Sequence, residues 1–316
     1  MGKVLSVAEA VNALLDGQIL GLPTETVYGL GADATNESAV AQVFKAKNRP
    51  RFDPLIVHVP TLAAVRDIAE LSEAAEQLFL AFSPGPLTVV LPKKNTIPDL
   101  VTSGHSTVAV RIPAHPVMLE VLHSSGLYIA APSANPFGFA SPTTAQHVLD
   151  QLGNLISGVV DGGPCSVGIE STIVDMSSGV PKVLRLGGMA LEQLERVLGP
   201  IATQLSSSNP NAPGMLTSHY NPGIPVQLFK DREALLAALQ LVDADAIGIL
   251  YWGETISHGT GFNLSERRSD TEAATNLFKG LRVLGSMQVT QIFAHLLPEN
   301  GLGRAVNDRL QRAANK

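Results

Sequence analysis

The chain has 316 residues, 45 % of them hydrophobic and 16 % charged, enough apolar material for two ordinary domains of roughly 150 residues each. Its 28 glycines and 21 prolines fall short of the roughly 25–30 % that marks low complexity, and no apolar run approaches the ~18–20 residues that cross a bilayer, so the sequence reads as neither disordered nor membrane-spanning. A net charge of −6 gives no global attraction for polyanions, so any phosphate-bearing ligand must be held locally.

The start of the chain fits a loose N-myristoylation pattern, but Ser6 with Glu9 reads better as a capping box ahead of Val7, Ala10, Val11 and Leu14. From Gln18 to Leu186 short strands alternate with amphipathic helices. Strands are predicted at Ile19 to Leu22, Leu55 to Val59, Leu87 to Leu91, Thr107 to Ile112, Tyr128 to Ala131, Gly158 to Val160, Ser171 to Asp175 and Val183 to Leu186. Helices are predicted at Glu37 to Lys47, Ser72 to Phe82, Pro116 to His123, Thr143 to Leu152 and Ala190 to Leu198. Between Pro200 and Pro225 the texture turns rich in proline, serine and asparagine, as in Ser206-Ser207-Ser208-Asn209-Pro210-Asn211, which reads as a linker. Strand and helix then alternate strictly: Val226 to Phe229, Arg232 to Leu241, Ile247 to Tyr251, Thr271 to Leu284, Gln291 to Leu296 and Leu302 to Ala314. The expected organisation is a large α/β domain over 1–199, a linker over 200–225 and a small parallel-sheet α/β domain over 226–316. The lone Cys165 excludes an intrachain disulfide, and the first twenty residues lack a basic start and apolar stretch, so a reducing, cytoplasmic setting is expected.

Several segments carry candidate chemistry. Thr24-Glu25-Thr26 sits at a strand end ahead of Gly29-x-Gly31-x-x-Ala34, a loose dinucleotide fingerprint that is out of place because the next helix begins only near Glu37; a ligand loop competes there with a plain turn. Lys45-Ala46-Lys47-Asn48-Arg49-Pro50-Arg51 puts four cations in seven residues. A solvated helix end would explain them, yet Lys47 falls on the apolar stripe and Pro50 stiffens the turn presenting Arg49, so phosphate binding is an equal reading. In Thr107 to Ile112 the period of two sets Val108, Val110 and Ile112 on one face and Thr107, Ala109 and Arg111 on the other, leaving Arg111 either to clamp a carboxylate or phosphate or to face solvent. The same choice attends Arg185. Ser141 or Thr143 reads as a helix N-cap, whereas Ser133 and Asn135 are not needed for capping and suit an anionic or nucleoside group. His58 is either a packed core histidine or a ligand contact. There is no Gly-x4-Gly-Lys-Ser/Thr loop, His-Glu-x-x-His, Cys-x-x-Cys or Gly-x-Ser-x-Gly, which argues against P-loop, zinc and serine-hydrolase chemistry.

Taken in order, Leu22 to Ala34, Phe44 to Pro50, Pro54 to Val59, Ser83 to Thr88, Ala109 to Pro113, Ala131 to Asn135 and Gly168 to Ile173 resemble the YrdC family, and Ala212 to Pro222 followed by a further domain is similar to its two-domain members. The resemblance implies a YrdC-like twisted mixed sheet with covering helices plus a small Rossmann-like C-terminal α/β domain. It implies condensation of L-threonine, bicarbonate and ATP to L-threonylcarbamoyladenylate with loss of pyrophosphate, with Mg²⁺ arriving on ATP and no protein metal ligands assigned. A tRNA-modifying transferase complex would then use the product beside the anticodon, with at most a weak tRNA contact here. On the same resemblance Lys47 and Arg49 stabilise charge, and Thr26, His58, Arg111, Ala131 and Ser171 bind threonine. Lys47, Arg49, Asp53, Thr107, Ser133, Asn135, Ser141, Arg185 and Tyr220 bind ATP, and His219-Tyr220-Asn221-Pro222 forms a lid. Two positions depart from the family pattern. Asp53 stands where Asn is usual, and is expected to turn toward Mg²⁺ or adenine or else to weaken ATP affinity; Gly285 stands where Asp is common. The competing readings are a double-stranded RNA or tRNA-binding module, suggested by the Lys45 to Arg51 cluster, and a carbamoyl-transfer module, disfavoured because no acylphosphatase or zinc-finger segment accompanies it.

Overall fold

The computed structural model describes residues 2–205, 212–213, 219–257 and 259–315. Most of the serine-rich linker (206–211) and part of the segment similar to two-domain relatives (214–218) lie outside the described residues. The chain divides into two compact units. The first comprises Met1–Phe137, Pro142–Ser166 and Glu170–Leu216, the second Gly138–Ser141, Val167–Ile169 and Thr217–Lys316.

In the first unit the strands are β1 (Val4–Leu5), β2 (Leu20–Leu22), β3 (Gly29–Asp33), β4 (Ile56–His58), β5 (Leu87–Pro92), β6 (Thr107–Arg111), β7 (Ile129–Ala130), β8 (Val159–Val160), β9 (Thr172–Asp175), β10 (Lys182–Arg185) and β11 (Ala202–Thr203). They form a mixed sheet in the order β1-β8-β2-β3-β7-β4-β6-β5-β9-β10-β11. The parallel pair β4·β6 sets Ile56 opposite Ala109 and His58 opposite Arg111, while β5 runs antiparallel to β6 with Val90 opposite Ala109. Helix α1 (Val7–Leu15) opens on the expected capping box, Ser6 accepting from Glu9 N–H and Glu9 reaching back to Ser6, which contributes about 1 kcal/mol. Its Ala10 and Leu14 pack with Met118, Val121 and Leu122 of the later helix Pro116–Ser125 against Leu20, Leu22 and Ile129 of the sheet. A second apolar cluster, Ile56, Val90, Ala109, Ile173, Leu184 and Ala212, lies along the face of β6 that carries Arg111. Each buried aliphatic there contributes roughly 1.5–3 kcal/mol.

Three expectations are corrected. Gly29–Asp33 is not a loop or phosphate turn but a strand antiparallel to β2, which removes the dinucleotide reading, since that fingerprint needs a strand-turn-helix context. Thr144, not Ser141 or Thr143, caps the helix Ala145–Leu152 by accepting from His147 N–H. Ala202–Thr203, read as linker, adds an edge strand parallel to β10.

The second unit holds β12 (Val226–Phe229), β13 (Ile247–Tyr251), β14 (Thr260–Asn263) and β15 (Gln291–His295), all parallel, in the order β12-β15-β13-β14. Their helices are Arg232–Leu239, Asp270–Gly285 and Gly303–Ala314. At Gly285 a side chain would collide with the carbonyl oxygen of Pro222, so no acid fits that position in this backbone.

Candidate functional site

The helix Glu37–Lys47 begins at Asn36, whose Oδ1 accepts from Ser38 and Ala39 N–H. It ends where Asn48 adopts the left-handed conformation (φ 52°, ψ 40°), one that asparagine tolerates better than most residues. Arg49 N–H then bonds back to Phe44 O at 3.0 Å. This stop leaves Lys47 and Arg49 both buried, at 1 % and 8 % exposure, while Lys45 and Arg51 face out. Half of the cluster that suggested an RNA-binding surface therefore points inward.

Lys47 Nζ donates to Asn135 O at 2.5 Å and to Ser133 O, so the ammonium pins the loop after β7 (Ile129–Ala130). That loop also pairs with β3, Ser133 bridging Gly29 and Ala134 N–H bonding Tyr28 O. Burial pushes the Lys47 pKa well down, Arg49 adding to the effect, while Asp53 and Glu170 oppose it. Arg49 donates from Nε to Asp53 O at 3.0 Å and from Nη2 to Pro54 O at 2.8 Å, and pairs with Asp53 Oδ2 at 2.8 Å. Burial raises the Asp53 pKa against the pull of Arg49, Lys47 and Arg185.

A second cluster gathers around Arg111 on β6. Thr24 Oγ1 accepts from the N–H groups of Thr26 and Val27 at 3.2 Å, a tight turn that fixes Thr26. Arg111 Nη1 donates to Thr26 Oγ1 at 2.7 Å and Nε to Gly85 O at 3.2 Å. Its Nη2 approaches Glu25 Oε1 at 2.7 Å as an ion pair, off hydrogen-bond alignment; both Glu25 oxygens are buried with no hydrogen-bond partner among the described residues. Arg111 is 3 % exposed, which removes the solvent-facing reading. His58, its cross-strand neighbour, is 3 % exposed, and burial followed by the Arg111 charge holds its pKa down to about 3. Because the unfolded pKa is near 6.5 and the folded one lower, His58 leaves stability intact above pH 6.5 and subtracts up to about 1.4 kcal/mol per pH unit as pH falls toward 3. His58→Gln should flatten a plot of melting temperature against pH across that window; an unchanged slope would exclude a buried neutral imidazole.

Ser171 Oγ shares a 2.7 Å hydrogen bond with Thr88 Oγ1. A register shift between Val183 and Arg185 re-aims Arg185, whose Nε and Nη2 donate to Ser171 O at 3.0 and 2.9 Å, with Nη2 also reaching Ser171 Oγ at 3.1 Å. Its charge acts on Asp53, and thereby links the two clusters. Thr107 starts β6, four residues and roughly 13 Å before Arg111 at a strand rise of ~3.3 Å, on the end of the sheet where β4 is entered from the Asp53–Pro54 turn. Ala131 N–H bonds Ile56 O at 2.9 Å, beside His58 on β4. Ser141 and Tyr220 belong to the second unit. There Tyr220 is 1 % exposed, its ring 5.2 Å from that of Phe278 and 5.6 Å from the Arg309 guanidinium, and Ser141 O accepts from Arg282 at 3.3 Å.

Asp53 is corrected in one respect: its carboxylate turns to Arg49. Replacing it with Asn keeps the shape and removes the charge competing with phosphate. On the ATP role that the family resemblance implies, Asp53→Asn should therefore lower the KM for ATP several-fold and cost about 1–3 kcal/mol of stability, read by steady-state kinetics and denaturant melts. A raised KM would assign Asp53 a direct role toward ATP. Sequence reasoning passed over Glu25 and Glu170 as individual residues. The signal for Glu25 was present, an acid in a polar triplet at the end of an apolar strand, but its partner lies 86 positions away.

A mixed-sheet α/β unit that buries four cations, Lys47, Arg49, Arg111 and Arg185, is a scaffold suited to anionic small molecules. The chain belongs to the Sua5/YciO/YrdC family: its model, described as "Telomere recombination", matches residues 12–187, and that of "Threonylcarbamoyl-AMP synthase, C-terminal domain" matches 189–315. The chain is 38 % identical over 329 residues to the threonylcarbamoyl-AMP synthase of Pyrococcus abyssi, covering 96 % of this chain and 93 % of the relative. The synthase of that name from Bacillus subtilis is 39 % identical, with 98 % and 92 % covered. The crystal structure of P. abyssi Sua5 complexed with L-threonine superposes with a TM-score of 0.92 at 37 % identity, covering 99 % of this chain and 96 % of that one. A Vibrio cholerae protein also named threonylcarbamoyl-AMP synthase is 38 % identical, with 88 % of its length matched by 51 % of this chain.

Proposed function

We propose that the chain condenses L-threonine, bicarbonate and ATP to L-threonylcarbamoyladenylate, releasing pyrophosphate and water, as a nucleotidyltransferase that supplies a tRNA-modifying transferase. The observation that carries this reading is the presence of two buried cationic clusters in the first unit, Arg111 with Thr26 and His58, suited to an amino-acid carboxylate, and Lys47 with Arg49, suited to polyphosphate. The names of the similar proteins support it.

The chemistry asks for positioning and charge compensation. The threonine amine adds to carbon dioxide or bicarbonate, the resulting carbamate oxygen attacks the α-phosphorus, and the bond to pyrophosphate breaks, with no nucleophilic side chain needed. Arg111 offers its fork to the threonine carboxylate, and Glu25 keeps that guanidinium oriented. His58, neutral near pH 7, is a hydrogen-bonding wall and not a proton carrier. Lys47 and Arg49 meet the charge that builds on the leaving phosphates, and a phosphate beside Lys47 opposes the burial that lowers its pKa. Mg²⁺ would offset the remaining negative charge on the triphosphate. On the protein side Asp53 Oδ1 has no hydrogen-bond partner among the described residues, but the carboxylate is held by Arg49 through Oδ2, so the ion's ligands would come from phosphate and water.

The test is pyrophosphate release by the purified full chain with MgATP. Release should require both threonine and bicarbonate; release indifferent to either would refute the synthase reading. The RNA-binding alternative gains nothing from the relatives, whose names state the synthase.

A further inference from the structure

We propose that the second unit carries its own nucleotide-binding crevice, with phosphate held by Lys230, Arg232 and Arg268 and the base laid against Trp252. Strands β12, β13 and β15 are parallel and end at one edge of their sheet, where Lys230, Trp252 and Leu296 immediately follow. The chain runs outward from β13 to β14 and then returns to insert β15 between β13 and β12. Open parallel sheets bind ligands outside the carboxyl ends of their strands at such a reversal. A cavity of about 480 Å³ opens there, within the range of small-ligand sites, and Lys230, Arg232, Trp252, Arg268 and His295 line it.

The lining is organised. Arg232 donates to the carbonyls of Glu254 and Thr255 at 2.8 and 3.4 Å, and so ties the loop after β13 back to the start of the helix Arg232–Leu239, which follows β12. Arg268 has φ 56°, a left-handed backbone that costs a non-glycine residue about 1–2 kcal/mol. Its side chain lies over Gly253, where an added Cβ would come within 2.7 Å of Arg268 Nε. That guanidinium is 58 % exposed, and its acidic neighbour, Glu254, stands 3.6 Å away, beyond hydrogen-bond range. Strain that holds a charged group at a crevice is characteristic of binding sites. Of the acids on the lining, Asp231 Oδ1 already caps the helix Arg232–Leu239 by accepting from Ala234 N–H at 2.8 Å. His295 is 4 % exposed. Its Nδ1 lies 3.1 Å from Leu296 O, which places the proton on Nδ1 and makes Nε2 an acceptor with no partner among the described residues, a position for a ribose hydroxyl. The V. cholerae relative carries the synthase name with a match to about half of this chain, which leaves the second unit available for a separate role.

Trp252 is the sole tryptophan of the chain, so intrinsic tryptophan fluorescence reports on this crevice alone. Titration of the full chain with AMP should give a saturable change that inorganic phosphate competes away without producing it. Arg268→Gly removes the guanidinium while suiting the left-handed backbone, and should weaken AMP at least about tenfold, as should Lys230→Ala. Lys47→Ala should leave the titration unchanged. The proposal is overturned by no fluorescence response to millimolar AMP, by phosphate binding as tightly as AMP, by a response that Arg268→Gly and Lys230→Ala do not weaken, or by one that Lys47→Ala abolishes.

Discussion

Arg111→Ala is expected to raise the KM for threonine by about a hundredfold, equivalent to roughly 2.7 kcal/mol, while the KM for ATP moves little. The guanidinium stands beside Thr26 and His58 and is already aligned by Thr26, Gly85 and Glu25. Its removal also strands the buried Glu25 carboxylate, at a stability cost of about 3–5 kcal/mol. The double variant Arg111→Ala with Glu25→Gln separates the two effects: most of the stability should return and the threonine KM should stay high. Arg111→Lys keeps the charge but loses the fork, and should recover only part of the affinity. Recovery of threonine KM in the double variant would show that Arg111 acts only through Glu25.

Lys47→Ala is expected to lower kcat by about 100- to 1,000-fold, the scale for removing one charged donor from a developing anion, with threonine KM nearly unchanged. Arg49→Ala should act in the same direction. Two contributions combine in Lys47: the charge itself, and the loss of the donor that pins the carbonyls of Ser133 and Asn135. Lys47→Arg, which retains charge in a bulkier form, should recover little, because the pocket is closed to 1 % exposure. A threonine KM that rises while kcat holds would reverse the assignment of the two clusters.

The main lines of the first unit were legible in the sequence because its strands carry β-branched residues between turn signals and its helices carry stripes. The helix Glu37–Lys47 was read to the residue from that stripe, and the stripe alone placed Lys47 inside. The pleat parity of β6 likewise set Arg111 apart from Val108 and Val110. What failed had local causes. Gly29–Asp33 is glycine- and alanine-rich, with weak intrinsic strand preference, and becomes a strand because Leu20–Leu22 pairs with it. Thr260–Asn263 is short, contains a glycine and lies at a sheet edge. The helix Leu62–Ile68 has only seven residues, too few for a periodic signal. In the site, residue types were readable but partners were not. The Arg49–Asp53 pair is local, four residues apart, but the left-handed turn at Asn48 that closes it carries no periodic signal, while nothing near position 111 announces Glu25, which tertiary pairing decides.

In the proposed reaction the first unit joins a threonine-derived carbamate to the α-phosphorus of ATP. Mass spectrometry of a reaction containing threonine, MgATP and ¹³C-bicarbonate tests it most directly. An adenylate bearing threonine and one ¹³C carbonyl should form in step with pyrophosphate and be lost in Lys47→Ala. Consumption of ATP without a labelled threonine adduct would contradict it.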